Sequence, residues 1–188
     1  DESHERDRAR YFARVRLAIA NSRAAARYLA LKWGYTGDVH VCLNALRPSL
    51  RPAVPTAKRY PANAPLRLGV AARLYPVKGQ ALVLHTAKAL MDSGVDVELD
   101  VAGAGPEGAK LESLARALGV RCRWRGAVAD MREIYAGIDC LIHPPLTEAF
   151  GLVAIEAAAY GCPVIAAVVD GLGEAVADGI SGYGVAPT

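Results

Sequence analysis

Two glutamates, Glu148 and Glu156, bracket a run of seven apolar residues, and this spacing is the strongest chemical signal in the chain. The surrounding pattern predicts a strand, a loop with two prolines, and a helix that starts near Phe150 and ends before Gly161. A helix start exposes backbone N–H groups and favours a bound anion. Carboxylates beside an anion site are suited to accept hydrogen bonds from hydroxyl groups. The segment therefore predicts a ligand whose anion lies between hydroxyl-bearing groups, as in a nucleotide sugar.

Glu156 is set among apolar residues, from Val153 to Ala159. A helix that is apolar almost all round is buried, and a buried carboxylate needs a partner. An exposed helical Glu156 and a helix-capping Glu148 are the alternatives. The apolar surroundings favour a functional role for both.

A second candidate is the pair Arg73 and Lys78, here called the cation pair, which follows the predicted strand 66–72 and precedes a helix. Two cations on one strand-end loop could bind a diphosphate and neutralise charge on a leaving group. The alternative is an ordinary solvated loop, since basic loop residues usually face water.

The stretch Gly103 to Gly108 has the form GxGxxG after a strand and before a helix, which can indicate dinucleotide binding. That motif expects an acidic residue at the end of the next strand, where this chain has Arg125. Pro106 also removes one backbone donor. A tight turn near a ligand is therefore favoured over NAD binding.

His143 precedes the two prolines and lies close to Glu148 in sequence. It could contact a ligand, but a half-buried loop histidine is the favoured interpretation. The other histidines form no ligand spacing, and no CxxC pair indicates zinc. Buried free thiols are predicted for all four cysteines, which are Cys42, Cys122, Cys140 and Cys162.

Composition limits the class of protein. The chain has 188 residues, 53% of them hydrophobic, which fits one domain or one domain plus a fragment. The net charge of +3 is small and spread along the chain, which argues against nucleic acid as a partner. No apolar run approaches the roughly 20 residues that span a bilayer, so no transmembrane segment is predicted.

Strand and helix patterns alternate along most of the chain. Apolar strand runs are typical of a parallel sheet covered on both faces, so we predict a doubly wound, Rossmann-like α/β fold. Its strands are predicted at 66–72, 95–102, 120–125, 140–143, 163–169 and 182–186. Upstream, strands 16–20 and 39–43 flank a helix that begins after Ser22 and ends at Gly34. Residues 47–65 have a proline-rich linker composition. Asp130 and Glu133 predict a capping box for a helix over 130–137.

Several motifs together carry a family resemblance. They are Arg73-Leu74 with Lys78-Gly79, Gly103 to Glu107, Glu148 to Glu156, Gly161 to Ala166, and Gly171 to Gly179 with Gly182. The chain resembles the C-terminal, donor-binding domain of retaining glycosyltransferases with the GT-B fold, family four (glycosyl transferases group 1). The resemblance covers 66–188, a donor-binding domain expected to be truncated at its C-terminus. Residues 1–46 resemble the last βαβ unit of the acceptor domain.

The resemblance implies a nucleotide diphosphate sugar as donor, and a role for each motif. Arg73 and Lys78 would contact the diphosphate as it leaves, and backbone amides of Phe150, Gly151 and Leu152 would also hold phosphate. The family works with retention, without a cofactor and without a bound metal ion. The cation pair and the helix dipole would take the part of a divalent ion.

For the two glutamates the resemblance implies different partners. Glu148 would accept hydrogen bonds from hydroxyl groups of the transferred sugar, and Glu156 would bind the ribose. The base would lie against the loop after strand 120–125. The acceptor is left open as a sugar, a lipid-linked sugar or a small molecule. A cytoplasmic protein is expected, either free or at the inner membrane surface.

Most of the acceptor domain is expected to lie outside this sequence, so we expect the chain alone to bind donor weakly and to transfer little. Two other functions stay open. A sugar-nucleotide epimerase of the same fold would need acid/base groups, for which His143 is the candidate. A non-catalytic nucleotide-binding or interaction module would need no chemistry at all.

Overall fold

The computed structural model describes residues 10–48 and 64–187. A two-stranded parallel sheet lies in the first range and a six-stranded parallel sheet in the second. The linker predicted at 47–65 falls largely outside the described residues.

The first range forms a strand–helix–strand unit, as predicted. Strand β1 is Leu17–Ala20, helix α1 is Arg23–Trp33 and strand β2 is Asp38–Val41. The Ser22 side chain caps the start of α1, and Gly34 ends it in a left-handed conformation. The strand bounds differ from the prediction by one or two residues.

The second range forms the main sheet, in the order β5-β4-β3-β6-β7-β8. Its strands are β3 Leu66–Ala71, β4 Val97–Ala102, β5 Arg121–Gly126, β6 Cys140–His143, β7 Val164–Ala167 and β8 Gly182–Val185. Every pair of neighbours is parallel. All six predicted strands are confirmed, with bounds shifted by up to two residues.

Four helices cover both faces of this sheet, and each face has its own apolar core. The helices are α2 Gln80–Asp92, α3 Gly108–Leu118, α4 Arg132–Gly137 and α5 Leu152–Ala159. Helices α2 and α3 contribute buried side chains to one core, and α4 and α5 to the other. The doubly wound α/β fold is therefore confirmed. Because all six strands are parallel, the loops at their carboxyl ends meet at one edge of the sheet.

The capping box predicted for α4 is wrong. The helix begins at Arg132, and the residue before it, Met131, makes no capping hydrogen bond. The Asp130 carboxylate instead accepts hydrogen bonds from the backbone and the guanidinium of Arg132. This local pairing competes with a capping contact to Glu133.

The prediction of four buried cysteines is also wrong. Cys162 is buried and two others are half-buried, but Cys42 is exposed. Cys42 directly follows β2, and its neighbours Val41 and Leu43 are exposed as well. An apolar sequence context indicates burial only where another element covers that face.

Candidate functional site

A cavity of about 360 Å³, here called the main cavity, opens at the carboxyl edge of the large sheet. It is lined by the loops that follow β3 and β6 and by the start of α5. Six predicted site residues line it together: Arg73, Lys78, Glu148, Phe150, Gly151 and Leu152. Predicted residues far apart in sequence thus share one space.

Lys78 reaches Glu148 because the loops after β3 and β6 pack closely. Gly79 has a left-handed φ of 71°, and a Cβ there would lie 2.1 Å from the carbonyl oxygen of Pro144. The Lys78 Nζ therefore comes within 2.7 Å of Glu148 Oε2. Both side chains are mostly shielded, with 17% and 19% exposure, so water weakens this ion pair only partly.

His143 is the second partner of Glu148. It is the last residue of β6, a central strand, and only 2% of it is exposed, so its interpretation as a half-buried loop histidine is wrong. Its Nε2 lies 3.3 Å from Glu148 Oε2. The hydrogen bond from His143 and, next, Lys78 lower the pKa of Glu148 to about 2, against the opposing effect of burial. Glu148 is therefore ionised at neutral pH and has no proton to donate.

Arg73 is exposed at the rim of the main cavity. Its guanidinium lies over the ring of Tyr75, 5.5 Å from the centroid. Its backbone carbonyl accepts a hydrogen bond of 2.8 Å from the buried Gln80 side chain. The loop backbone is thus held while the cation stays available to a ligand.

The glycine turn after β4 serves to support the Arg73 loop. A Cβ on Gly103 would lie 1.8 Å from the carbonyl oxygen of Ala72, and one on Gly105 2.3 Å from that of Leu74. Backbone hydrogen bonds join Leu74 to Ala104 and to the turn that follows. Only glycine lets the two loops approach this closely.

We expect Gly105→Ala to destabilise the protein by about 1–3 kcal/mol, since the added methyl group meets the rigid backbone of Leu74. Urea unfolding measures this change. Gly137→Ala is the matched control, because a Cβ there meets nothing within 4 Å. Equal stability of the two variants would contradict the close packing of these loops.

The start of α5 offers backbone donors to the main cavity. Gly151 precedes the helix with a φ of 91°, and a Cβ there would lie 2.3 Å from Leu172 Cδ1. No side chain of the described residues caps this helix start. The first N–H groups of α5 therefore stay available for an anion.

Glu156 does not line the main cavity. It borders a second cavity of about 460 Å³, with Arg47 and residues 128–132. Its Oε2 accepts a hydrogen bond of 2.7 Å from the hydroxyl of Tyr135. Burial, reinforced by this bond, raises the pKa of Tyr135, so the hydroxyl remains a donor. Glu156 is half-buried and has the partner that a shielded carboxylate needs.

Asn21 and Asn44 also line the main cavity, although neither was predicted to be a site residue. They follow β1 and β2, at the carboxyl ends of the small parallel sheet. Ligands of parallel α/β sheets bind beyond the carboxyl ends of the strands, so the same position on this smaller sheet would have pointed to both residues.

Residues 10–48 and 64–187 contain neither a candidate metal site nor a candidate membrane span. Within these ranges, no three His, Cys, Asp or Glu side chains are grouped as metal ligands. No helix there is long and apolar enough to cross a membrane.

Sequence comparison relates the chain to known proteins. A family model described as glycosyl transferases group 1 matches residues 58–188. D-inositol 3-phosphate glycosyltransferase of Mycobacterium tuberculosis is 36% identical over an alignment of 152 residues, and the match covers 76% of this chain. The match spans only 30% of that enzyme.

Solved structures show the same architecture. Sucrose-phosphate synthase from Thermosynechococcus elongatus superposes with a TM-score of 0.81 and 26% identity, covering 100% of this chain and 49% of the other. Anabaena HepE in complex with UDP and glucose gives a TM-score of 0.76 and 26% identity, covering 92% and 50%. Together with the family model, these likenesses show that the chain belongs to the glycosyl transferases group 1 family, and its fold is that of GT-B glycosyltransferases.

Proposed function

We propose that this chain is the donor-binding part of a glycosyltransferase, which moves a sugar from a nucleotide diphosphate sugar to an acceptor. The observation that carries the proposal is the main cavity, where the cation pair, the start of α5 and Glu148 meet. Helix α5 also reaches the second cavity, since Glu156 lies four residues after Leu152. Four residues of helix span on the order of 6 Å, which suits the step from a phosphate to a ribose.

In this proposal the positive groups act on the leaving diphosphate. Arg73, Lys78 and the first N–H groups of α5 lie where negative charge would grow as the bond to the sugar breaks. They would do the work of a divalent ion, so we propose transfer without a metal ion or other cofactor. Retention of configuration is proposed from the family resemblance.

Glu148 would orient the transferred sugar. Both of its protein contacts use Oε2, so among the described residues Oε1 has no protein partner and can accept from a sugar hydroxyl. Because Glu148 is ionised, it acts as an acceptor and not as a general acid. Lys78 holds the carboxylate in place through its 2.7 Å contact and would also face the diphosphate.

The acceptor side is proposed at the domain level. Residues 1–46 would belong to the acceptor domain, 47–65 to the linker and 66–188 to the donor domain. Since the chain spans 30% of its curated relative, we propose that it transfers little alone. The acceptor would be a sugar, a lipid-linked sugar or a small molecule, met in the cytoplasm or at the inner membrane surface.

Titration with UDP tests the donor site, because HepE was solved with UDP bound. We expect the chain to bind UDP roughly 10- to 100-fold more tightly than 2′,3′-dideoxy-UDP, since a charged acceptor such as Glu156 gains about 1.5–3 kcal/mol from ribose hydroxyls. Glu156→Ala is expected to remove this preference. Isothermal titration calorimetry measures both affinities.

Glu112→Ala, on the exposed side of α3, is the control and should keep the preference. If Glu156→Ala still prefers UDP over 2′,3′-dideoxy-UDP, Glu156 does not bind the ribose hydroxyls. Failure to bind any nucleoside diphosphate would favour a non-catalytic interaction module instead.

A further inference from the structure

The loop that follows β7, here called the β7 loop (168–175), contacts two separate parts of the protein. On one side it meets the segment that carries Glu148. On the other side it meets the start of α1, about 150 residues away in sequence. None of the proposed donor-binding roles uses this loop.

The contacts to Glu148 hold its peptide from both directions. The Asp170 carboxylate accepts hydrogen bonds from the Thr147 hydroxyl and, at 3.1 Å, from the Glu148 N–H. The Gly171 N–H donates to the Glu148 carbonyl at 3.0 Å. A Cβ on Gly171 would lie 1.9 Å from the Ala149 carbonyl oxygen, so the two segments are in close contact. Any shift of the β7 loop must therefore act on the backbone of Glu148.

Asp170 is held in an unusual backbone conformation. Its φ is +44°, and it is the only residue other than glycine with a positive φ in the described part of the chain. A residue with a Cβ keeps this costly conformation where surrounding contacts hold it, and here the side chain is held by its hydrogen bonds to Thr147 and Glu148. The conformation places the Asp170 carboxylate at the Glu148 peptide.

The contacts to α1 come from Glu174. Its two carboxylate oxygens accept from the N–H groups of Arg23, at 3.0 Å, and Ala24, at 2.9 Å. Ser22 takes the next N–H group, that of Ala25, at 2.9 Å. The Glu174 side chain is 17% exposed; its bond to the Ala24 N–H is partly buried, whereas its bond to the Arg23 N–H is exposed. The start of α1 is thus capped both by Ser22 of its own segment and by Glu174, which follows β7 of the large sheet.

A short, partly buried stretch of the β7 loop connects its two sides. A 3₁₀ turn at Leu172–Glu174 joins the Glu148 contacts to the α1 contacts. Leu172 is fully buried and packs against Gly151 at the start of α5. The connection between Glu174 and the Glu148 contacts is therefore short and packed against the start of α5.

We propose that the β7 loop couples the docking of α1 to the position of Glu148, with Glu174 as the docking residue and Asp170 as the positioning residue. When α1 binds Glu174, the loop holds the Glu148 peptide; when α1 leaves, that hold weakens. The coupling would let the strand–helix–strand unit that contains α1 adjust the site that holds the sugar. Only this last consequence rests on the proposed function.

Amide hydrogen exchange of the 188-residue chain tests the coupling without any ligand. In Glu174→Ala we expect exchange at Arg23 and Ala24 to rise about tenfold or more, because their acceptors are gone. Exchange at Ala25, which is bonded to Ser22, should rise less than about threefold. Coupling requires a rise of at least about threefold at Glu148 and Gly171 as well.

A second variant removes the contact between Glu174 and α1 from the α1 side. It also controls for a general loss of stability in Glu174→Ala. Arg23 is the first residue of α1, where proline fits a helix but has no N–H. Arg23→Pro should therefore speed exchange at Glu148, whereas Arg23→Ala, which keeps the N–H, should not. The pair separates the backbone contact from the weaker side-chain ion pair.

Unchanged exchange at Glu148 and Gly171 in both Glu174→Ala and Arg23→Pro would overturn the coupling. Unchanged exchange at Ala24 in Glu174→Ala would overturn the docking contact itself. An equal rise at Glu148 in Arg23→Pro and Arg23→Ala would also contradict the proposal. Because no nucleotide is added, a chain that fails to bind UDP would count against the proposed function and leave this result standing.

Discussion

Replacing Lys78 with methionine is expected to lower the affinity of the chain for UDP about tenfold or more. In a full-length enzyme it should slow sugar transfer by roughly 10²- to 10³-fold, the usual cost of losing one donor to a developing negative charge. Methionine keeps most of the side-chain volume but removes the ammonium group that lies 2.7 Å from Glu148. The loss is therefore electrostatic and not a packing defect. Calorimetric titration and initial transfer rates measure the two effects.

Lys88→Met is the matched control, because Lys88 lies on α2 and pairs with Asp92 on the protein surface. It should leave UDP affinity within about twofold, since surface ion pairs contribute little. If Lys78→Met and Lys88→Met bind UDP equally well, the cation pair does not hold the diphosphate.

The inner strands of the sheet were predictable because they are mostly buried. Continuous apolar runs such as Leu141–Ile142 are diagnostic of such strands, and all six appeared close to their predicted positions. The ends of elements were less predictable. Helix α5 is confirmed but starts at Leu152, two residues after Phe150, because Gly151 adopts a left-handed conformation that the residue type alone does not reveal. The predicted burial of Cys42 was wrong for a related reason, since burial depends on which faces other elements cover.

The candidate site was predictable as far as strand-end loops determine it. Arg73, Lys78 and Glu148 follow parallel strands, so one edge of the sheet had to bring them together. The contacts among side chains depend on how the loops pack against each other, which the spacing of residues along the sequence does not predict. The pairing of Lys78 with Glu148 and the capping of α1 by Glu174 are of this kind.

The Glu148→Gln substitution is expected to make the free energy of unfolding less dependent on pH. In the folded protein the pKa of Glu148 is lowered from 4.5 to about 2, so its ionised form stabilises the fold by about 3 kcal/mol at neutral pH. A lowered pKa gives stability that is present above the unfolded value and is lost as the pH falls toward the folded value. The difference between wild type and Glu148→Gln should therefore be largest at pH 6 and shrink by about 2 kcal/mol at pH 3.

Urea unfolding at both pH values measures this difference, and its sign identifies the cause. If the substitution only disturbed the hydrogen-bond geometry at this position, it would lower stability equally at pH 6 and pH 3, because glutamine does not titrate. The difference shrinks with acid only if the substitution removes the negative charge of Glu148, which contacts both Lys78 and His143. Glu112→Gln, at an exposed helix pair, should change stability by less than about 0.5 kcal/mol at either pH. A difference for Glu148→Gln that stays constant with pH would mean that Glu148 is not held as an anion before the donor arrives.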